Sequence, residues 1–213
     1  IMIKHYLKVA FRNLMKYKMQ SFVSIIGLAV GFTCFALSAL WIRYEMTYDN
    51  FHKGSDRIYM VRAHYANEPG TSKFTPYPLM KYLQDKMPEI EAATAFTPHH
   101  VKFRLEETEQ EVGMIDADSV FMNFFDIQLL KGTVNFLKSD GQEVAITKEF
   151  AKRLFSKEED ALGKEVEVGR RVCKIGAIVS GWSNHSNIPY NILAPARHSP
   201  RWGSSNEQLF IRV

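Results

Sequence analysis

The chain has 213 residues, 23% of them charged, and a formal net charge of +4. That excess is local: the first 20 residues hold five of the 27 basic side chains and no acid, which leaves 22 basic against 23 acidic elsewhere. No general basic surface remains to argue for nucleic-acid binding, and two cysteines, Cys34 and Cys173, are too few for a disulfide framework.

In chain order, Lys4, Lys8, Arg12 and Lys16 recur every four residues. At about 100° per residue they share one sector with His5, while Ile3, Leu7, Ala10 and Leu14 fall opposite. The pattern predicts an amphipathic helix over 1–18, lying in the membrane interface with its basic side toward headgroups or a partner. It reads either as a topology signal or as a docking and lever element; these four residues are the coupling candidates.

Residues 19–42 carry no charge, and no acid occurs before Glu45. As a helix such a stretch is ~36 Å long, enough to cross a bilayer core. The predicted transmembrane helix is 19–43. The basic lead places the N-terminus in the cytoplasm and everything after Arg43 outside. Gly27 and Gly31 form a GxxxG pair, a candidate face for close helix packing. No ionisable group lies inside, so the span has no proton or ion path of its own. A signal peptide cleaved after Ser38 is the rival reading. The long basic lead and the apolar continuation Leu40-Trp41-Ile42 speak against it.

A polar, aromatic juxtamembrane linker is expected over 44–57, and an extracytoplasmic domain over 58–213. Ile58–Tyr65 reads as a strand. Pro76 and Pro78 open a helix, Leu79–Met87. Ile90–Phe96 is a strand, and Val101–Leu105 with Glu111–Ile115 forms a hairpin around the acidic run Glu106, Glu107 and Glu109. Ser119–Leu130 is aromatic-rich and helical at first, its Phe121, Phe124 and Phe125 spaced for a core. Glu143–Thr147 is a strand that runs into an amphipathic helix, Lys148–Phe155. Lys164–Val168 and Arg171–Val179 form a second hairpin across Gly169. Pro189–Leu193 and Gln208–Val213 are short strands. Strands outnumber helices without a regular βαβ repeat, so the fold class is α+β in two small subdomains. The last strand stops at Val213 without a turn or polar tail, so a piece of a longer chain is expected.

Catalytic chemistry is not legible. Gly163-Lys164 is followed by Glu165, which breaks a phosphate-binding loop. Gly181-Trp182-Ser183-Asn184-His185 lacks the second glycine of a nucleophile elbow. His99-His100 are neighbours, which chelate poorly on a strand, and a solvated loop is expected there. No catalytic, cofactor-binding or metal-binding residue is assigned. The polar segment holding Trp182, Asn184, His185 and Tyr190 is either a capped turn or a partner-facing loop.

The order of segments is informative. HYLKVAFRNLMKYK leads into a span with a GLAVG core; YDNFHKGSDRIYMVR, ADSVFMNFFDIQLLKG, VAITKEFAKRLFSKEEDALGKEVEV and KIGAIVSGWSNHSNIPYNILAP follow. This succession resembles the N-terminal half-repeat of the MacB/FtsX-like ABC transporter permeases, especially their periplasmic core domain. The resemblance implies a non-catalytic permease subunit in a bacterial inner membrane, its external part a porter-like plus a small α/β subdomain. It implies an ABC ATPase on a separate chain and a second permease protomer. In one branch it also implies a membrane-fusion protein and an outer-membrane channel. The function would be mechanotransmission: ATP hydrolysis on the cytoplasmic side drives movement outside. Three further spans normally follow in such permeases. A single-span sensor or adaptor with a ligand-binding external domain is the alternative.

Overall fold

The computed structural model describes residues 2–49, 54–66, 69–155, 157–182 and 186–213. The chain forms two units, Ile1–Tyr48 and Asp49–Val213.

The first unit is two helices, α1 (Met2–Lys16) and α2 (Lys18–Glu45), separated by a single residue. Tyr17 leaves helical geometry at φ −108°, ψ 57°. The Ser21 hydroxyl donates to the Leu14 carbonyl at 3.1 Å across that break. None of α2 is buried. At 28 residues it is about 42 Å long by helix geometry; it starts one residue before the expected span and ends two residues after it, inside the expected linker. Its apolar window has a mean hydropathy of 2.2.

Among the described residues, the second unit has nine strands: β1 (Ile58–Val61), β2 (Ala92–Leu105), β3 (Thr108–Ala117), β4 (Leu129–Gly132), β5 (Glu143–Thr147), β6 (Glu165–Val168), β7 (Arg171–Val179), β8 (Ile192–Pro195) and β9 (Gln208–Arg212). They run in the order β1-β9-β2-β3-β8-β5-β7-β4, with β6 bridging β2 and β7. Among the described residues, the α-helices that accompany them are α3 (Pro78–Lys86), α4 (Ser119–Phe124) and α5 (Lys148–Leu154). This is a mixed α+β domain.

One strand organises it. The residues expected to form two strands and a loop are the single strand β2. Ala92–Phe96 pair with β9, Thr97–Leu105 pair with β3, and Phe103–Arg104 also pair with β6. Pro98 falls between the β9-paired and β6-paired stretches, where one edge of β2 has no neighbour. A missing N–H is tolerated at such a place, so the proline does not end the strand. His99 and His100 therefore lie in a strand rather than a loop, opposite Met114 and Gly113.

Local chemistry explains the helices. Pro78 stands at the first turn of α3, where its missing N–H costs nothing. Asp118 caps α4 by accepting the Phe121 N–H at 2.8 Å, and Thr147 caps α5 by accepting the Phe150 N–H at 3.3 Å.

The core has three parts. Phe96, Ile115, Phe121, Phe136 and Leu193 fill one side of the main sheet; Phe103, Ile146, Phe150, Ile175 and Ile192 fill the other. Ile90, Ala93, Ala95 and Leu209 close a third beneath Leu79 and Leu83 of α3. A bulge makes the first two compatible. Val144 pairs with Ile175 but Ala145 pairs with Ala177, leaving Gly176 over. The extra residue reverses the phase of β7, so Ile175 and Ile178 enter one core and Ala177 and Val179 the other. Gly132 crosses close above it. With φ +82°, a Cβ there would sit 2.2 Å from the Gly176 carbonyl oxygen.

Candidate functional site

In the first unit, Lys4, Lys8, Arg12 and Lys16 are all exposed along α1. Lys16 Nζ lies 5.5 Å from the Tyr17 ring centroid, at the break between the helices. Phe11 and Leu14 are exposed too, so apolar as well as basic surface is available to an interface. Nothing within 4 Å would meet a Cβ on Gly27 or Gly31. That leaves a four-residue-spaced groove on α2 open.

In the second unit, Trp182 and Tyr190 are brought together, with ring centroids 5.0 Å apart at 90°. Trp182 also packs on Phe125 at 5.1 Å and on Phe121 at 5.8 Å. Tyr190 is 6% exposed and donates its hydroxyl to the Ser180 carbonyl at 2.9 Å. Burial pushes its pKa up. Tyr190 is therefore core rather than partner-facing surface. Asn184 and His185 lie outside the described residues. Just beyond them the chain is tied down by Asp49, which accepts from the Ser186 hydroxyl at 2.6 Å and the Asn187 side-chain amide at 2.8 Å. This is side-chain capping of a turn.

A polar cluster not anticipated from sequence sits at the start of β9. The His198 imidazole stacks on the Tyr77 ring, centroids 4.0 Å apart at 6°. Its Nδ1 is 2.8 Å from Glu207 Oε2 and its Nε2 is 3.4 Å from Asp118 Oδ2. Burial works to lower the pKa of His198. Its hydrogen bonds to Asp118 and Glu207 outweigh that and hold it at about 9. His198 is thus an imidazolium between two carboxylates. It joins the N-terminus of α4, the start of β9 and the head of α3, a pinning role.

Asp116 lines a cavity of about 340 Å³ together with Arg170, Arg171 and Arg197. Burial raises its pKa, against the pull of His99, 3.9 Å away, and of Arg171. The Cys173 thiol, lining the same cavity, is pushed up to about 11 by burial, which keeps it a poor nucleophile. At the β2–β3 hairpin, Glu109 is held at about 2 by hydrogen bonds from Lys102 and Arg104, each at 2.8 Å. So part of the acidic run is paired within the hairpin. Among the described residues, no three His, Cys, Asp or Glu side chains gather as a metal-holding group. A cavity of about 530 Å³ opens between β1, β9 and the Trp182 aromatic group.

The profile of one protein family, described as the MacB-like periplasmic core domain, matches residues 21–213. No curated protein sequence matches the chain. Among solved structures, it is similar to a domain of a permease protein from Porphyromonas gingivalis. There the identity is 22% over 76% of this chain and 77% of that one, with a TM-score of 0.63. It is also similar to the extracellular domain of the noncanonic ABC-type transporter YknZ from Gram-positive bacteria (15% identity, 73% and 81% covered, TM-score 0.54). The periplasmic region of MacB from Actinobacillus actinomycetemcomitans is similar at 13% identity, with 75% of both chains covered and a TM-score of 0.53. At these identities the likeness is one of fold.

Proposed function

The chain belongs to the MacB-like periplasmic core domain family, and on that premise we propose that it is a permease subunit of an ABC-type export or mechanotransmission complex. It carries the periplasmic domain of a MacB-like permease together with an apolar N-terminal helix of membrane-spanning length. The observation that supports the reading best is the extent of the match. It begins at residue 21, inside α2, and runs to residue 213, so helix and domain belong to one family unit.

In the proposed mechanism the chain holds no catalytic group. ATP is hydrolysed by a separate ATPase subunit on the cytoplasmic side of the inner membrane. The basic face of α1, carrying Lys4, Lys8, Arg12 and Lys16, couples to that side. The continuous hydrogen bonding of α2 suits it to carry displacement across the bilayer as a rod. A second permease protomer packs alongside, with Gly27 and Gly31 permitting close approach. The external domain moves as a stiff body because β2 is shared by several neighbouring strands. In the efflux form of such a complex, that movement would act on a membrane-fusion protein and an outer-membrane channel.

The test is charge reversal. With Lys4, Lys8, Arg12 and Lys16 all changed to Glu, transport by the assembled complex is expected to fall at least about tenfold. The ATPase should remain active and the external domain should keep its unfolding transition. Unchanged transport with unchanged topology would contradict a lever role for α1.

A further inference from the structure

The cavity of about 530 Å³ in the second unit is of a size that holds small ligands, about 300–1,000 Å³. One wall is aromatic, from Phe125, Trp182 and Phe210. Gln208 lines it as well and is 2% exposed. No described residue hydrogen-bonds its carboxamide, and its Oε1 is a buried acceptor without a donor. A buried amide in that state destabilises the fold unless something pairs with it. Whichever way the amide is turned, it offers one donor and one acceptor side by side.

Two cations line the cavity as well. Arg62 lies one residue past the Val61–Leu209 pair, which places it beside Gln208 on the β1 side. Both Arg62 and Lys73 line the cavity, are exposed, and have no carboxylate at ion-pair distance among the described residues. Asp49 also lines the cavity, where it is held by hydrogen bonds from Ser186 and Asn187 and forms no ion pair with either cation.

An aromatic wall, an unpaired buried carboxamide and two exposed cations around one cavity match a particular ligand. We infer that this cavity binds the C-terminus of an apolar peptide. The last side chain lies against Phe125, Trp182 and Phe210; a backbone amide pairs with Gln208; the terminal carboxylate meets Arg62 and Lys73. The inference goes beyond the transport reading and does not depend on coupling to an ATPase.

The full chain in lipid nanodiscs is titrated by calorimetry with N-acetyl-phenylalanyl-leucine and with the same dipeptide as its C-terminal amide. Saturable one-to-one binding is expected, with the amide weaker by about tenfold. The double change Arg62→Gln with Lys73→Gln should abolish that difference without disturbing the fold, because both side chains are exposed. Gln208→Leu should weaken the acid by a similar factor while raising the thermal midpoint, since it removes an unpaired buried amide. Absence of saturable heat up to about 10 mM, far weaker than specific recognition, would overturn the proposal. So would equal binding of acid and amide, or normal affinity in both variants. The assay contains no ATPase, so none of these results bears on the coupling mechanism.

Discussion

Between Lys18 and Glu45 the chain turns Phe22, Leu28, Phe32, Phe35 and Leu40 outward, and not one residue of that helix is buried. Between Asp49 and Val213, Phe96, Phe103, Phe121, Phe136 and Phe150 are sealed to 1% exposure or less. The side chains are of the same kind; the solvents they are made for differ. In α2 the apolar residues occur all round the helix, so no single face can be turned away from water. In the sheet they alternate, so that β7 and β8 each send side chains to both main cores. An apolar residue in α2 is satisfied by lipid, and one in the domain only by its neighbours.

The comparison can be broken most strongly in the domain. Phe96 touches Phe121, Phe125 and Phe210, with centroids 4.8, 6.0 and 5.5 Å away. Phe96→Ala should cost about 4 kcal/mol in denaturant unfolding of the domain. Phe32→Ala in α2 should leave that transition where it was. The converse is a charge in the helix. Val30→Arg should cost about 3 kcal/mol of insertion, seen as loss of membrane retention on alkaline extraction, while the unfolding midpoint of the domain stays put.

Backbone crowding comes next. Gly132→Ala combines a positive φ with a collision against the Gly176 carbonyl and the Ala177 Cα. About 2–3 kcal/mol of destabilisation is expected from strain and displacement of the β4–β7 crossing. An unchanged thermal midpoint would show that β4 is free to shift.

The smallest expected effect is one of pH. His198 titrates near 6.5 when unfolded and at about 9 when folded, so folding binds a proton. Its contribution is fully present below about pH 6.5 and is lost as pH rises through about 9, on the order of 2 kcal/mol in all. The partners facing it are Asp118, Glu207 and the stacked Tyr77. His198→Gln should flatten the slope of stability between pH 6.5 and 9. α2 contains no histidine, so membrane retention should not follow the His198 titration.

Legibility followed the range of the interaction. The β5–α5 unit was readable because everything it needs is local: an apolar run, Thr147 as cap, Phe150 and Ala151 on one face, Lys152 and Arg153 in the last turn. The hairpin across Gly169 was readable for the same reason. Strand β2 runs unbroken through Pro98, His99 and His100, where a loop is expected from sequence, because the pairing with β3 that carries it is a tertiary fact. The bulge at Gly176 has no signal beyond an isolated glycine in a strand. Tyr77, Asp118, His198 and Glu207 are scattered along the chain, and only the neighbouring of β9, α3 and α4 unites them. Gln208 offered still less warning: a glutamine beginning a strand looks like surface until its burial is known.

The most direct test of the account is topology. Single cysteines are placed in a Cys34→Ala, Cys173→Ala background, one at Lys8 on α1 and one at Glu107 at the tip of the β2–β3 hairpin. Cells are then treated with a membrane-impermeant maleimide before and after lysis. The account predicts that Glu107→Cys reacts once the outer barrier is opened, and Lys8→Cys only after the inner membrane is broken. Equal reactivity at both positions with the inner membrane intact would contradict it, because α2 would then not separate a cytoplasmic lever from an external domain.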